Sequence, residues 1–517
     1  MKGVYFMESE NGSQKKMGLI ALVLMIVSSI YGIGNTAIGF YQMGYAGIIW
    51  YVLAAILFFI PAALMFAEYG SVLKDAHGGI YSWLEFAVGE KFAFTGTFIW
   101  LASWIIWLLT NTSMNFINFS EAIFGKDTTQ SWHLFGLSSN ATLGILGVIF
   151  IFAVTFCAIR GFDKISKIAS IGGIFVIFCS AFVFLGSIIC IFMQHGHFAQ
   201  PLTANGFIKS PNPLFSTPLG MLSFIVYAIF SYGGMETMGG VTDKVKNSER
   251  TFPRAVIIAG LFMIIAYAVL MLFWGVTANW NHLLNHSSVD LGNGPYGLIS
   301  NLGYTLAIHF GATVVVANEI GKWLVRIMGL VQLLAFTATF FVMVYSPLKS
   351  FIMGSPKHFW PKSITKLNDK KMPANAMLWQ AGLISVALLL ISFGGSTAQD
   401  FYTILIDMMN VSTSVPYLFL IGAFPFFKKK MAGKEQSFEV YKSQRTTWVV
   451  TIIAWLTVLF GIIFSVIKPI FDHDIKTFVW TAIGPIFFGI LALVILYFDN
   501  KRNSKYDLTD DNQEDEE

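Results

Sequence analysis

Two short runs carry the residues whose spacing bears most directly on chemistry, GIGN at 32–35 and YGGME at 232–236. Each puts glycines at the centre of a hydrophobic run otherwise long enough to cross a membrane. Glycine in a helix interior costs about 1 kcal/mol relative to alanine, and a helix broken within hydrocarbon exposes N–H and C=O groups that lipid cannot satisfy. Such groups are tolerated where they line a cavity, and there they become a binding site. Close helix packing is the other use of glycine in membranes. It explains one such run taken alone, whereas two at corresponding depth point to a site.

Three ionisable residues lie at membrane depth, where a charge is rare and costly. Glu236 follows the second glycine run, Arg326 lies inside the eighth apolar segment and Asp407 inside the tenth. Glu236 suits proton coupling or gating, and equally the capping of a half-helix whose first amides are free. Arg326 suits a partnership with Asp407 or Glu236, which is the preferred reading, or contact with a carboxylate on a substrate. Glu68, Asp163 and Lys164 stand near helix ends on the expected cytoplasmic side, where snorkelling and pairing with loops account for them. No nucleophile and base converge at one depth. The phosphate-cradling GxxxxGK and zinc-binding HExxH patterns are absent, which argues against an ATP-driven pump or a protease. His282 with His286, and His195 with His197, lack neighbouring carboxylates or cysteines to complete a metal site. Cys157, Cys179 and Cys190 sit in apolar runs without metal or disulfide spacing. The sequence therefore calls for no catalytic residue, no metal and no cofactor.

The elements that must position these residues are membrane helices. Of 517 residues 55% are hydrophobic and only 12% charged, a composition outside that of soluble proteins of this size. Twelve apolar segments of spanning length have approximate cores at 17–41, 46–68, 92–110, 141–159, 165–193, 219–240, 255–276, 320–346, 376–394, 401–427, 446–467 and 478–498. With the N-terminus inside, the alternate loops on that side hold most of the lysines and arginines, including KKK at 428–430. Both termini are thus expected in the cytoplasm. The net charge of +4 resides in such loops, where it meets anionic lipid, and calls for no nucleic acid. Residues 1–16 read as a cytoplasmic tail, 17–499 as the membrane domain, and 500–517, ending DLTDDNQEDEE, as an acidic, solvated cytoplasmic tail.

The interrupted segments are the first and the sixth, five apart in order. That spacing predicts an inverted repeat, with 17–193 as the first copy, 219–427 as the second and 446–498 as two additional helices. Read together with GIGN, "PAALMFAEYGSVLKDAHGGIYSW" and "FSYGGMETMGG" followed by "KNSERTFPRA", the chain resembles the amino acid-polyamine-organocation superfamily and, within it, the glutamate:GABA antiporter family. The resemblance covers nearly the whole chain. It implies an all-α fold of twelve transmembrane helices in a LeuT-like five-plus-five inverted repeat, with helices 1 and 6 discontinuous.

The same resemblance implies a substrate and its contacts. A substrate carboxylate would meet amides around Ile33, Gly34 and Asn35, and its ammonium would meet carbonyls of Ile30, Phe230 and Gly233. Gly32 and Gly34 would let the first segment unwind, Gly233 and Gly234 would stand at the second break, and the Phe230 ring would shield the substrate. Glu236 corresponds to a glutamate tied to proton-linked or gating behaviour in relatives. No lysine lies well inside the fifth segment, where some proton-coupled relatives carry one. The expected function is secondary active transport of amino acids or related zwitterions, glutamate- or GABA-like, across the inner membrane, by exchange or with protons. A substrate sensor or channel on the same fold is the alternative.

Overall fold

The computed structural model describes residues 18–73, 79–286, 289–370, 372–394 and 398–514. The tail assigned to 1–16 and the end of the acidic tail lie outside them, as do the side chains of Asp163 and Lys164. Among the described residues the structure is all helical, without a strand, and ten helices are long and apolar enough to cross a membrane.

The first segment is divided into α1 (Leu19–Ile30) and α2 (Ile33–Met43). α3 (Ala46–Val72) follows and contains a π-helical turn at Ala55–Phe59. Such a turn rotates the side chains that follow it. Here it sets Phe58 edge-on to Tyr417 and stacks Phe59 on Tyr232. After the short α4 (Ile80–Val88) comes α5 (Glu90–Phe124), then α6 (Ser139–Ala158) and α7 (Phe162–Met193). Within α7, Phe178–Met193 is an apolar helix shorter than the ten spans.

The second half opens with α8 (Pro218–Ser231), whose start is capped by the Thr217 hydroxyl. A 3-10 helix, Met235–Lys244, continues it beyond a break. α9 (Ser248–Thr277) leads to a long connection containing α10 (Gly294–His309). α11 (Val314–Gly354), α12 (Ala374–Ser392), α13 (Ala398–Met431), α14 (Gln444–Phe471) and α15 (Ile475–Glu514) complete the chain. Composition argued for a solvated, irregular tail from residue 500, yet the backbone of α15 is helical as far as Glu514.

α5 is the central strut, packed on α11, α13, α15 and α4. Buried polar residues run along it, and several find partners inside the protein, as hydrocarbon favours. The Thr110 hydroxyl donates to the Leu405 carbonyl at 3.0 Å, Asn115 reaches Thr337, and Asn118 accepts from Tyr296 at 2.7 Å. α5 and α11 meet so closely that a Cβ on Gly329 would stand 2.5 Å from the Ala122 backbone nitrogen.

Candidate functional site

The first break is short and extended. The Tyr31 N–H closes α1 on the Val27 carbonyl at 2.9 Å, after which Tyr31 and Gly32 take extended dihedrals and α2 starts at Ile33 without a side-chain cap. The amides of Ile33 and Gly34 therefore open a helix with no intrahelical acceptor, at the positive end of its dipole. Gly32 has φ −123° and ψ 120°, which any residue adopts. Gly34 lies within α2, and its missing side chain leaves room beside Gln332 of α11.

Hydroxyls from three other helices hold this break open. The Asn35 carbonyl accepts from Tyr51 of α3 at 3.0 Å and from Tyr227 of α8 at 3.3 Å. Its side-chain amide donates to Tyr267 of α9 at 3.5 Å. The Asn35 side-chain amide is thus engaged with α9. Tyr267 also donates to the Ser231 carbonyl at 2.6 Å, and the Tyr51 and Ser231 hydroxyls lie 3.0 Å apart. One set of tyrosines thus ties both breaks together.

At the second break α8 ends on Ser231, and the Gly233 N–H turns back to the Phe230 carbonyl at 2.8 Å. Gly234 has φ +110°, a conformation that L side chains rarely adopt. Its N–H donates to Glu236 Oε2 at 3.0 Å and to the Tyr417 oxygen at 2.9 Å. Tyr417 of α13 donates to Glu236 Oε2 at 2.7 Å, and the Trp100 indole of α5 donates to Oε1 at 3.3 Å. Glu236, buried within the protein, accordingly caps the break and links it to two packed helices.

The breaks face one cavity of about 280 Å³, closed on its other sides by α5, α11 and α13. Ile30, Gly32, Ile33, Gly34 and Asn35 line it from the first break, and Phe230, Gly233, Gly234 and Glu236 from the second. At one end of it Asp290 accepts from the Gly292 and Asn293 amides at 2.8 and 2.9 Å, shaping the loop that brings Gly292, Pro295 and Tyr296 over the cavity. Burial holds the Asp290 carboxyl above the usual carboxylate range.

Arg326 and Asp407 do not line this cavity. The Arg326 guanidinium donates to the Phe124 carbonyl at 3.2 Å and lies over the Trp323 ring, so it caps the C-terminal end of α5. The electrostatic neighbours of Asp407 are Lys468, Asp474 and Asp472 around the α14–α15 turn. Neither meets the other or Glu236 among the interactions of the described residues. Glu68 is more deeply placed than a snorkelling residue. It is 0% exposed, accepts from Lys428 at 2.9 Å and takes the Val440 and Tyr441 amides at 2.7 and 2.9 Å. The histidine pair between α9 and α10 is local, with the His286 ring hydrogen-bonded to the His282 carbonyl.

Several residues that hold the breaks or line the cavity went unread in the sequence. Tyr51, Tyr267 and Tyr417 approach from helices remote in the chain, and nothing local marks them. Trp100, Trp104, Trp107 and Asn111 do form a stripe spaced three to four residues apart on α5. That stripe was the available signal, hidden among 14 tryptophans.

Comparison with known proteins bears on this geometry as follows. The amino acid permease family profile matches residues 17–495. The inner membrane transporter YjeM of Salmonella typhimurium is 43% identical over 482 residues, 93% of this chain and 96% of its own. Its counterpart in Escherichia coli is 42% identical over the same share of each chain. A glutamate/gamma-aminobutyrate antiporter of Lactococcus lactis is 22% identical over 93% of this chain and 90% of its own.

Proposed function

The chain belongs to the amino acid permease family, and from that premise we propose that this multi-pass inner-membrane transporter moves amino acids or related zwitterions by alternating access. It is a transporter rather than an enzyme. The observation that carries the reading is the pair of helix breaks facing one cavity. Amides at the start of α2 receive the substrate carboxylate. Carbonyls at Ile30, Phe230 and Gly233 receive the ammonium group, the Phe230 carbonyl with the lone pair that Gly233 leaves free.

The architecture we propose is twelve transmembrane helices. α1 to α7 form one inverted repeat and α8 to α13 the other, with α14 and α15 added. α1, α2, α3, α8 and α9 rock against α5, α6, α11 and α12. Both termini face the cytoplasm, supported by the lysines and arginines of the inner loops. Exchange of one amino acid for another is the preferred driving force, supported by the glutamate/gamma-aminobutyrate antiporters at 22% identity. Coupling to protons is the second.

Counterflow tests the proposal. Proteoliposomes loaded with an unlabelled amino acid should accumulate the same labelled compound, for at least one member of a broad panel. Binding without any counterflow across that panel would overturn transport in favour of a sensor on the same fold.

A further inference from the structure

The wall opposite the breaks decides what the side chain of a bound amino acid meets, a step that rests on the transport reading above. Facing the breaks are Trp104, Trp107 and Asn111 of α5, Gln332 and Phe336 of α11, and Met409 of α13. Glu236 is the one charged side chain among the described lining residues, which include no lysine, arginine or histidine. Its oxygens are already taken by Trp100, Gly234 and Tyr417. Arg326, the cation best placed by sequence to meet a second carboxylate, is turned to the end of α5.

The wall is neutral, and several of its polar atoms are uncommitted. The Trp104 indole N–H is buried without an acceptor. Asn111 spends its amide nitrogen on the Trp107 carbonyl at 2.9 Å and keeps its side-chain oxygen. The Gln332 amide nitrogen stands 3.9 Å from where a Cβ on Gly34 would sit, close to the first break, and has no hydrogen bond among the described residues.

A zwitterion satisfies the free amides and carbonyls with its own two charges. A second carboxylate would then leave water to meet only neutral dipoles, and a buried ion without a counter-ion costs several kcal/mol. An added ammonium would find Glu236 committed to three donors. An uncharged side chain instead gains indole faces, two donors and an acceptor. We propose that the substrate is an α-amino acid with an uncharged side chain, seated against Trp104, Trp107 and Gln332, and that the glutamate anion is rejected.

Isosteric pairs separate charge from size. Glutamine against glutamate and asparagine against aspartate, with a panel of neutral and basic amino acids, are compared at pH 7 as competitors of counterflow and as ligands in calorimetry. The strongest ligand should carry an uncharged side chain, and glutamine should exceed glutamate at least tenfold, about 1.4 kcal/mol. A charged amino acid that binds best overturns this assignment while leaving the transport reading intact. No exchange of any amino acid overturns the transport reading itself and this assignment with it. Gln332→Lys, checked for folding by its Tm, should move the ratio at least tenfold toward glutamate. Asn111→Lys supplies the cation from the other wall where that variant does not fold. An unchanged ratio in a folded lysine variant overturns the placement of the side chain.

Discussion

At the scale of single residues, the two breaks differ in what they demand of glycine. Gly234 sits at φ +110°, so Gly234→Ala should cost about 1–3 kcal/mol and press its new methyl against Ile30. Gly32 holds ordinary extended dihedrals with room for a Cβ beside Asn35. Gly32→Ala should leave Tm unchanged or raise it slightly, because alanine restricts the unfolded chain. A Tm comparison of the two purified variants checks the contrast, and equal losses would refute it. Glu236 poses a different question, since capping already uses its three bonds. If it also couples protons, Glu236→Gln should flatten the pH profile of uptake in proteoliposomes. Tyr417→Phe, which removes one donor and keeps the carboxylate, should lower uptake and retain that profile. Identical profiles in wild type and Glu236→Gln would remove the coupling role.

At the scale of elements, the cavity depends on how closely its walls approach. Gly329 of α11 lets that helix lie against the end of α5, and an added Cβ would meet the backbone nitrogen and α-carbon of Ala122, at 2.5 and 3.0 Å. Backbone yields less readily than a side chain, so Gly329→Leu should separate α5 from α11 and cost roughly 1–3 kcal/mol through overpacking. Uptake and Tm should fall together. At the Glu68 end of α3, that helix is fastened to α13 and to the loop before α14 by Glu68, Lys428 and Glu439. Lys428→Met would leave Glu68, 0% exposed, without its cation. Removing one partner of a buried pair typically costs about 3–5 kcal/mol. Adding Glu68→Gln should recover part of that loss in Tm, and a double variant worse than the single one would show that the pair does not act as a unit.

At the scale of the whole molecule, the orientation predicted from loop charge is tested by labelling. With Cys157, Cys179 and Cys190 replaced by alanine, Lys209→Cys should react with an impermeant maleimide in intact cells, and Lys366→Cys only after lysis. The reverse pattern would invert the topology. The sequence alone determined that this is a helical membrane protein interrupted twice, because hydrocarbon forces every lipid-exposed backbone group into a helix, and that constraint is written locally as long apolar runs. It likewise placed Ile30 to Asn35 and Phe230 to Glu236 at the breaks, since glycine, asparagine and a lone glutamate stand out against such runs. Only the tertiary structure decided that the two breaks share one cavity, that Glu236 is tied to Trp100 and Tyr417, and that Arg326 serves the end of α5. The reason is physical. A side chain's partner at membrane depth is set by how helices distant in sequence pack, and an arginine six residues along an apolar run reads the same whether it faces a cavity or a neighbouring helix end. The neutral character of the wall belongs to the same class, because it is a property of α5, α11 and α13 together and of none of them alone.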